Sequence, residues 1–296
     1  MRLYGDYSSY NQEPISVKPN NVPIKREQSK ACFQTVERKE LRAKLNRKTA
    51  KPQTPYNQTT NMKICYIVAM EAEAQPFVEK FGVQKIEGAF DPLPCQLYEH
   101  QLSKEDSLYI VVNGRQHGSS LIGCEAASIT VLKAIETIHP DLVVNSGTCG
   151  AFKKNDAEIG KVYIGNGVMF HDRRVMGDDK WYTQSIGNYP LSERSAEIAE
   201  ALNMPMGKVT TGSSLDIQPC DLKVMEQHGG ELKDMEGAAV AFVCSLMNVP
   251  CMLVKSVTDL IDGGENTFEE FSRNLSLASE ELSKANVKIV EYLTRH

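Results

Sequence analysis

The chain has 296 residues, of which 41% are hydrophobic, and its formal net charge is −5. This length can bury a sizeable core, while the longest apolar runs are of strand length and fall far short of the ~20 residues that a spanning helix requires. The eight cysteines include no C-x-x-C pair and mostly lie inside apolar patterns, which favours reduced thiols and a cytoplasmic setting over disulfides or zinc. We therefore expect no membrane segment.

The first 61 residues differ in charge from the rest. They contain twelve Lys and Arg against five Asp and Glu, a net of +7, which leaves −12 for the remainder. The segment is rich in Asn, Gln, Lys and Pro, so it cannot bury enough surface to offset its ordering entropy. We expect residues 1–61 to form a basic, disordered leader and residues 62–296 to form the folded domain, whose acidity argues against a nucleic-acid partner.

From Met62 onward, apolar strand patterns alternate with helical ones. "MKICYIVA" predicts an opening strand, and "MEAEAQPFVEKFG" predicts a helix that stops at Gly82. A helix is also predicted from Ser120 to Ile138, ended by His139-Pro140. Further strands are predicted at "SLYIVVNG", "DLVVNSG", "GKVYIGNGVMF" and "CMLVKSV". Buried strands separated by helices indicate an α/β fold.

Two helices are predicted in the last third of the chain. The first has apolar residues at i, i+3, i+4 and i+7, namely Ala239, Phe242, Val243 and Leu246. The second runs to His296, and Thr267 with Glu270 predicts a capping box at its start. We see no internal repeat and no second domain.

Functional residues in α/β sheets gather in the loops that follow strands. Four such loops carry acids or a glycine turn: "AMEAEA" with Glu71 and Glu73, "NSGTCG" with Gly147 and Thr148, "DMEG" with Asp234 and Glu236, and "VTDLIDGG" with Asp259 and Asp262. Each has a structural interpretation when taken alone, since acids suit the first turn of a helix and Asp and Gly suit turns. Acids at several such positions in one domain indicate a site.

Taken in order, "AMEAEA", "NSGTCGAF", "FHDRR", "TTGSSLDI", "DMEGAAVAF" and "VKSVTDLIDG" resemble the methylthioadenosine/S-adenosylhomocysteine nucleosidases, particularly their plant-type methylthioadenosine branch, within the nucleoside phosphorylase/hydrolase superfamily. The resemblance covers about residues 62 to 296. It implies a three-layer α/β/α sandwich around a mixed central sheet, a homodimer and a small-molecule nucleoside substrate.

The resemblance also implies roles for individual residues. Cleavage of an N-glycosidic bond passes through an oxocarbenium-like state, so an acid must protonate the leaving adenine and a base must orient water at C1′. By resemblance, Asp259 is the acid and Glu73 is the base, with Thr148 placing the water or the ribose. Glu236 holds the ribose hydroxyls. The implied substrate-binding residues are Met235, Glu236, Leu215, Asp216, Gly147 and Lys255.

Two stretches depart from the family pattern. Ser213 replaces the usual aspartate of a "TGDS" turn, and the stretch "HDRRVMGDDKWYTQSIGNYP" differs after "HDRR", in the part of the chain that helps to close the 5′ pocket. Trp181 and Tyr182 in this stretch either cap a 5′ alkylthio group or cover the domain surface. For His171 we favour a structural role over a catalytic one.

Two alternative functions remain open. A phosphorylase of the same superfamily would need arginines for phosphate, yet Asn145 stands where hexameric phosphorylases carry one, and Arg115 is the one nearby candidate. A non-catalytic nucleoside-binding or storage relative would have lost an acid, whereas Glu73, Glu236 and Asp259 are all present. There is no P-loop, no G-x-G-x-x-G after a strand, no H-E-x-x-H and no metal-ligand cluster, so we expect no cofactor and no metal.

Overall fold

A nine-stranded mixed sheet forms the centre of the computed structural model, which describes residues 61–175 and 177–295. The strand order is β10-β9-β8-β11-β7-β1-β4-β3-β2, and β5 and β6 form a separate hairpin. The strands are β1 (Lys63–Val68), β2 (Gln84–Ile86), β3 (Gln96–Gln101), β4 (Ser107–Val112), β5 (Arg115–Gln116), β6 (Ser119–Ser120), β7 (Leu142–Ala151), β8 (Val162–Phe170), β9 (Met206–Thr211), β10 (Leu232–Asp234) and β11 (Cys251–Leu260).

Seven α-helices are present in the described residues. They are α1 (Glu71–Phe81), α2 (Cys124–Ile138), α3 (Asp179–Ile186), α4 (Arg194–Ala201), α5 (Pro219–Gln227), α6 (Gly237–Met247) and α7 (Thr267–Arg295). A short 3₁₀ helix spans Lys153–Asn155. None of these helices is long and apolar enough to cross a membrane.

The residues of β1 show how the layers arise. Its side chains alternate between two hydrophobic cores because successive residues of a strand point to opposite faces of the sheet. Cys65 and Ile67 pack with residues of α2 and α6, whereas Tyr66 packs with residues of α1, α4 and α7. The sheet is therefore covered on both faces, and the predicted three-layer α/β/α fold around a mixed sheet is confirmed.

One strand pairing closes the sheet on itself near the strand ends. The central strands β4, β1, β7 and β11 run parallel, so the segments that follow them emerge at one edge. β10 pairs with β9 in parallel and also with the end of β7 in antiparallel register, Leu232 opposite Ala151 and Lys233 opposite Gly150. This second pairing places β10 beside the glycine-rich last part of β7. The turn predicted there is absent, because Leu142–Ala151 forms one continuous strand.

Several predicted boundaries need correction. The predicted helix at Ser120 begins at Cys124, because Ser119–Ser120 pairs with Arg115–Gln116 in the hairpin. The capping box at Thr267 is absent: Asn266 caps α7 by accepting hydrogen bonds from Phe268 and Glu269. Glu270 instead accepts a hydrogen bond from the Leu260 N–H at 3.0 Å, which joins the start of α7 to the end of β11.

Other elements agree with or extend the prediction. The helix predicted to stop at Gly82 does so, and Gly82 has a left-handed backbone with φ of 56°. The short strands β2, β3, β9 and β10 carry too weak an apolar pattern to be predicted from the sequence. Apart from Asn61, the predicted leader lies outside the described residues.

Candidate active site

A cavity of about 290 Å³ lies where β1, β7, β10 and β11 end. Four acids line it: Glu73, Asp234, Glu236 and Asp259. Its apolar wall consists of Met70, Ile122, Leu215, Met235, Phe268 and Phe271. Each of the four segments selected from the sequence contributes to the lining, and Thr148 and Gly150 come from the last part of β7.

Glu73 is held in one orientation by neighbouring donors. It lies in the first turn of α1, is 5% exposed, and its Oε1 accepts hydrogen bonds from the backbone N–H and the hydroxyl of Thr148, both at 2.7 Å. Its Oε2 accepts a hydrogen bond from the Met70 N–H at 3.1 Å. A Cβ at Gly147 would lie 3.2 Å from Glu73 Oε1, so the glycine permits this close approach.

Glu236 is the residue that precedes α6, and it lines the cavity. Its Oε1 accepts a hydrogen bond from the Gly123 N–H at 2.7 Å. Burial, assisted by the nearby charge of Asp234, raises the pKa of Glu236 to about 7, while the charge of Lys255 opposes this rise. Glu236 can therefore change its protonation state near neutral pH.

Asp234, one of the four lining acids, forms a buried ion pair with Lys255. Lys255 Nζ is 2.7 Å from Asp234 Oδ2 and donates a hydrogen bond to Asn145 Oδ1 at 2.7 Å. Burial opposes the charge of the ammonium, but the carboxylates of Asp234 and Glu236 outweigh it and raise the pKa of Lys255. Asp234 also accepts a hydrogen bond from the Gly237 N–H at 2.8 Å, which ties the pair to the start of α6.

Asp259 lies at an irregularity in β11, where the register with β7 shifts between Val257 and Asp259. Bulges of this kind redirect a side chain out of the regular alternation. Burial raises the pKa of Asp259, and the hydrogen bond from Thr258 and the charge of Lys233 act against that rise. A Cβ at Gly150 would lie 2.6 Å from Asp259 Oδ2, so this carboxyl needs a glycine opposite it.

Comparison with known proteins decides the family. The sequence profile of the phosphorylase superfamily matches residues 63–291. The 5′-methylthioadenosine nucleosidase of Arabidopsis thaliana is 35% identical over 238 residues, which cover 78% of this chain and 86% of that protein. The chain belongs to the methylthioadenosine/S-adenosylhomocysteine nucleosidase family.

Two further comparisons agree with this membership. A 5′-methylthioadenosine/S-adenosylhomocysteine nucleosidase of Arabidopsis thaliana is 33% identical over 238 residues, 78% of this chain and 91% of that protein. The apo structure of an Arabidopsis thaliana 5′-methylthioadenosine nucleosidase superimposes with a TM-score of 0.76 at 33% identity, covering 80% of this chain and 98% of that one. Family membership was expected from the six sequence motifs.

The predicted site residues of this nucleosidase family member do not all line the cavity. Glu73, Thr148, Leu215, Met235, Glu236 and Asp259 do so. Lys255 lies behind the wall with 1% exposure, and Gly147 lies beneath Glu73. Asp216 is exposed, and its carboxylate accepts a hydrogen bond from Gln218 at 2.8 Å.

The structure adds a residue that sequence reasoning did not select. Lys233 lines the cavity, is 7% exposed, and its Nζ donates hydrogen bonds to the carbonyl oxygens of Ser214 at 2.7 Å and Leu215 at 2.9 Å. The sequence signal was weak: Lys233 directly precedes the "DMEG" motif, whose acids had been selected as site residues.

Four other candidates lie outside the cavity lining. The His171 ring is buried against Gly212, while Trp181 and Tyr182 are exposed on α3. Arg115 is exposed and its guanidinium lies 3.4 Å from Glu71. Cys149 does line the cavity, but burial raises the pKa of its thiol far above the range of a reactive thiolate.

Proposed function

We propose that this protein is an N-glycosyl hydrolase that cleaves 5′-methylthioadenosine to adenine and 5-methylthioribose, a step of methionine salvage. The observation that carries the proposal is the convergence of Glu73, Glu236 and Asp259 on one cavity, in three different environments. The names of the related proteins, which are methylthioadenosine nucleosidases, support the same substrate.

The two ends of the glycosidic bond call for opposite proton transfers. Asp259, whose pKa burial raises, would donate its proton to N7 of adenine as the C1′–N9 bond breaks and its electron pair passes to the base. Water would attack C1′, and Glu73 would take the proton that the water loses. The hydrogen bonds from Thr148 and Met70 hold the Glu73 carboxylate for this step.

The ribose would lie between these two acids. Glu236 would accept hydrogen bonds from the ribose hydroxyls, and Met235 would pack against the sugar. Hydroxyl donors favour the ionised carboxylate, so sugar binding would lower the pKa of Glu236 from its value of about 7. Leu215 would lie against the adenine ring.

The rival activities differ in the groups they need. Phosphate calls for bidentate guanidinium groups, and none of the described residues that line the cavity is an arginine. A binding or storage protein needs no general acid, whereas the buried Asp259 has the environment of one.

Adenine release from purified protein tests the proposal. Methylthioadenosine is supplied with and without phosphate, beside S-adenosylhomocysteine, and Asp259→Asn and Glu73→Gln are compared with Glu71→Gln, an acid of the same helix turn outside the cavity. We expect the wild type to release adenine without phosphate. The rate of release should fall by a factor of about 10² to 10⁴ in Asp259→Asn and Glu73→Gln and stay at the wild-type level in Glu71→Gln. Release that requires phosphate would establish a phosphorylase, and binding without release would establish a binding protein. The two substrate rates decide whether S-adenosylhomocysteine is accepted.

We also propose that the protein is a homodimer. Helices α2 and α6 pack side by side and expose large apolar side chains, including Ile129, Leu132, Phe242 and Leu246. Contiguous exposed apolar surface of this kind marks protein interfaces. Light scattering should give twice the chain mass for the wild type and a smaller mass for Leu246→Asp, and a monomeric wild type would contradict the proposal.

A cytoplasmic location and a two-part chain organisation complete the proposal. The described cysteines are all free thiols, as expected of a reducing compartment. We infer that residues 62–296 form the catalytic domain and that residues 1–61 are dispensable for catalysis. A variant of residues 62–296 should retain full kcat, and a fluorescent fusion of the whole chain should distribute through the cytoplasm. Inactivity of that variant, or a fusion confined to an organelle, would overturn the respective inference.

A further inference from the structure

Lys233 occupies an unusual position for a cationic side chain. It lies in β10 between the cavity and residues 212–217, which we call the adenine loop, and its Nζ donates hydrogen bonds to two consecutive carbonyls of that loop, Ser214 and Leu215. Burying an ammonium is unfavourable unless hydrogen bonds compensate for its lost hydration. The loop carbonyls provide that compensation, so the lysine and the loop depend on each other for their positions.

The other side of the adenine loop is held by an acid. The Asp172 carboxylate accepts a hydrogen bond from the Ser213 N–H at 2.7 Å, and the Gly212 N–H donates to the Asp234 carbonyl at 3.2 Å. The loop has no regular secondary structure, so these side chains determine its path. Three consecutive residues, Ser213 to Leu215, are thus held by two oppositely charged groups.

One residue of the adenine loop reaches the cavity. Leu215 lines the cavity, while the Asp216 side chain turns to Gln218. An apolar side chain at the cavity surface suits contact with a planar heterocycle such as adenine.

We propose that Lys233 is a positioning residue for the reaction, which holds the adenine loop in the shape that receives the base. The inference rests on the proposed hydrolysis of an adenine nucleoside. Lys233 itself does no chemistry: its hydrogen bonds to the carbonyls of Ser214 and Leu215 fix the position of Leu215 at the cavity. Without it, the loop would have to be ordered by the substrate, and affinity would fall because binding then includes the ordering entropy.

The charge of Lys233 has a second consequence. Asp259 is faced by Lys233 from β10, by Glu270 from α7 and by the neighbouring Thr258 hydroxyl, and the lysine acts to lower the pKa of Asp259 while Glu270 acts to raise it. The acids that face Lys233 are Asp259, Asp234, Asp216 and Asp172. Removal of the lysine charge should therefore raise the pKa of Asp259 and keep the general acid protonated to higher pH.

The test compares Lys233→Met with Lys233→Arg and with a matched control, Lys208→Met. Lys208 in β9 also donates to a backbone carbonyl, that of His228 at 2.9 Å, but it does not line the cavity. We expect Lys233→Met to raise KM for methylthioadenosine about tenfold and to move the basic limb of the pH–rate profile to higher pH. Lys233→Arg should leave the basic limb unchanged and should have a KM close to that of the wild type. Lys208→Met should match the wild type in both properties.

Two further measurements keep the proposal open to refutation. Hydrogen exchange of the peptide covering 212–217 should be faster in Lys233→Met than in the wild type. If Lys233→Met does not fold, Lys233→Gln, which keeps N–H donors without charge, must still move the basic limb. If a folded Lys233 variant has the wild-type KM and the wild-type basic limb, Lys233 is not a positioning residue. Equal hydrogen exchange of the 212–217 peptide in Lys233→Met and in the wild type would lead to the same conclusion. A wild type that releases no adenine defeats the proposed hydrolysis instead, and hydrogen exchange then decides on Lys233 alone.

Discussion

Thr148 donates both its backbone N–H and its hydroxyl to the same oxygen of Glu73, Oε1, at 2.7 Å each. Thr148 lies in β7 and Glu73 lies in the first turn of α1, so this double contact joins the last part of the strand to the start of the helix. Together with the hydrogen bond from the Met70 N–H to Oε2, this contact holds the carboxylate in one orientation.

Replacement of Thr148 by valine should lower kcat more than it lowers stability. The variant keeps the shape and the backbone donor but loses the hydroxyl, and a hydrogen bond to a charged group is worth about 1.5–3 kcal/mol. We expect kcat to fall about tenfold or more, and Thr148→Ser to recover most of it. Steady-state kinetics with a thermal melt of each variant would check this, and a Thr148→Val enzyme with wild-type kcat would exclude a role for the hydroxyl.

Substrate affinity should depend on pH through Glu236. Its pKa of about 7 in the free protein means that the carboxylate is mostly protonated at pH 6 and mostly ionised at pH 8. Because the ionised form accepts hydrogen bonds from both ribose hydroxyls, a non-hydrolysable nucleoside analogue should bind about tenfold more weakly at pH 6 than at pH 8. Calorimetric titration would measure this, and Glu236→Gln should bind weakly with the pH dependence abolished. Equal affinity of the wild type at both pH values would contradict the assignment.

Asp259→Asn should be more stable than the wild type at neutral pH although it is inactive. Because burial raises the pKa of Asp259 in the folded protein, its contribution to stability is fully present below the unfolded pKa of about 3.9 and is lost as pH rises through the folded value. Asparagine cannot ionise, so this loss is absent. Urea unfolding at several pH values should show a difference between the two proteins that grows with pH, and a difference independent of pH would rule out this origin.

The buried pair of Asp234 and Lys255 should be sensitive to the loss of one partner. Lys255→Met leaves the Asp234 carboxylate buried without its cation, and such a change costs about 3–5 kcal/mol in the free energy of unfolding. The double variant Asp234→Asn with Lys255→Met should recover part of the lost free energy of unfolding, because no unpaired carboxylate is then buried. As a matched control, Lys284→Met removes an exposed partner of Glu281 and should change stability by less than about 1 kcal/mol. Equal effects of the two single substitutions would show that the buried pair contributes no more than a surface pair.

Local patterns in the sequence were sufficient for the fold class and for most of the acids of the site. The period of apolar residues distinguishes strand from helix along β1, α1, β7 and β11, and a residue that ends a strand in a parallel sheet lies at the ligand-binding edge wherever the chain goes next. Glu73, Glu236 and Asp259 follow from that rule and from the family motifs. These properties depend only on near neighbours in the chain.

Only the tertiary structure decided which charged groups meet. The pairing of β10 with the end of β7 places Lys233 beside the cavity, whereas Lys255, four residues before Asp259, points behind it to Asp234. The shifted register of β11 and the burial that raises the pKa of Asp259 likewise come from contacts distant in sequence. Burial and electrostatic interactions depend on spatial neighbours, and a single sequence does not specify which strand edge lies beside which loop.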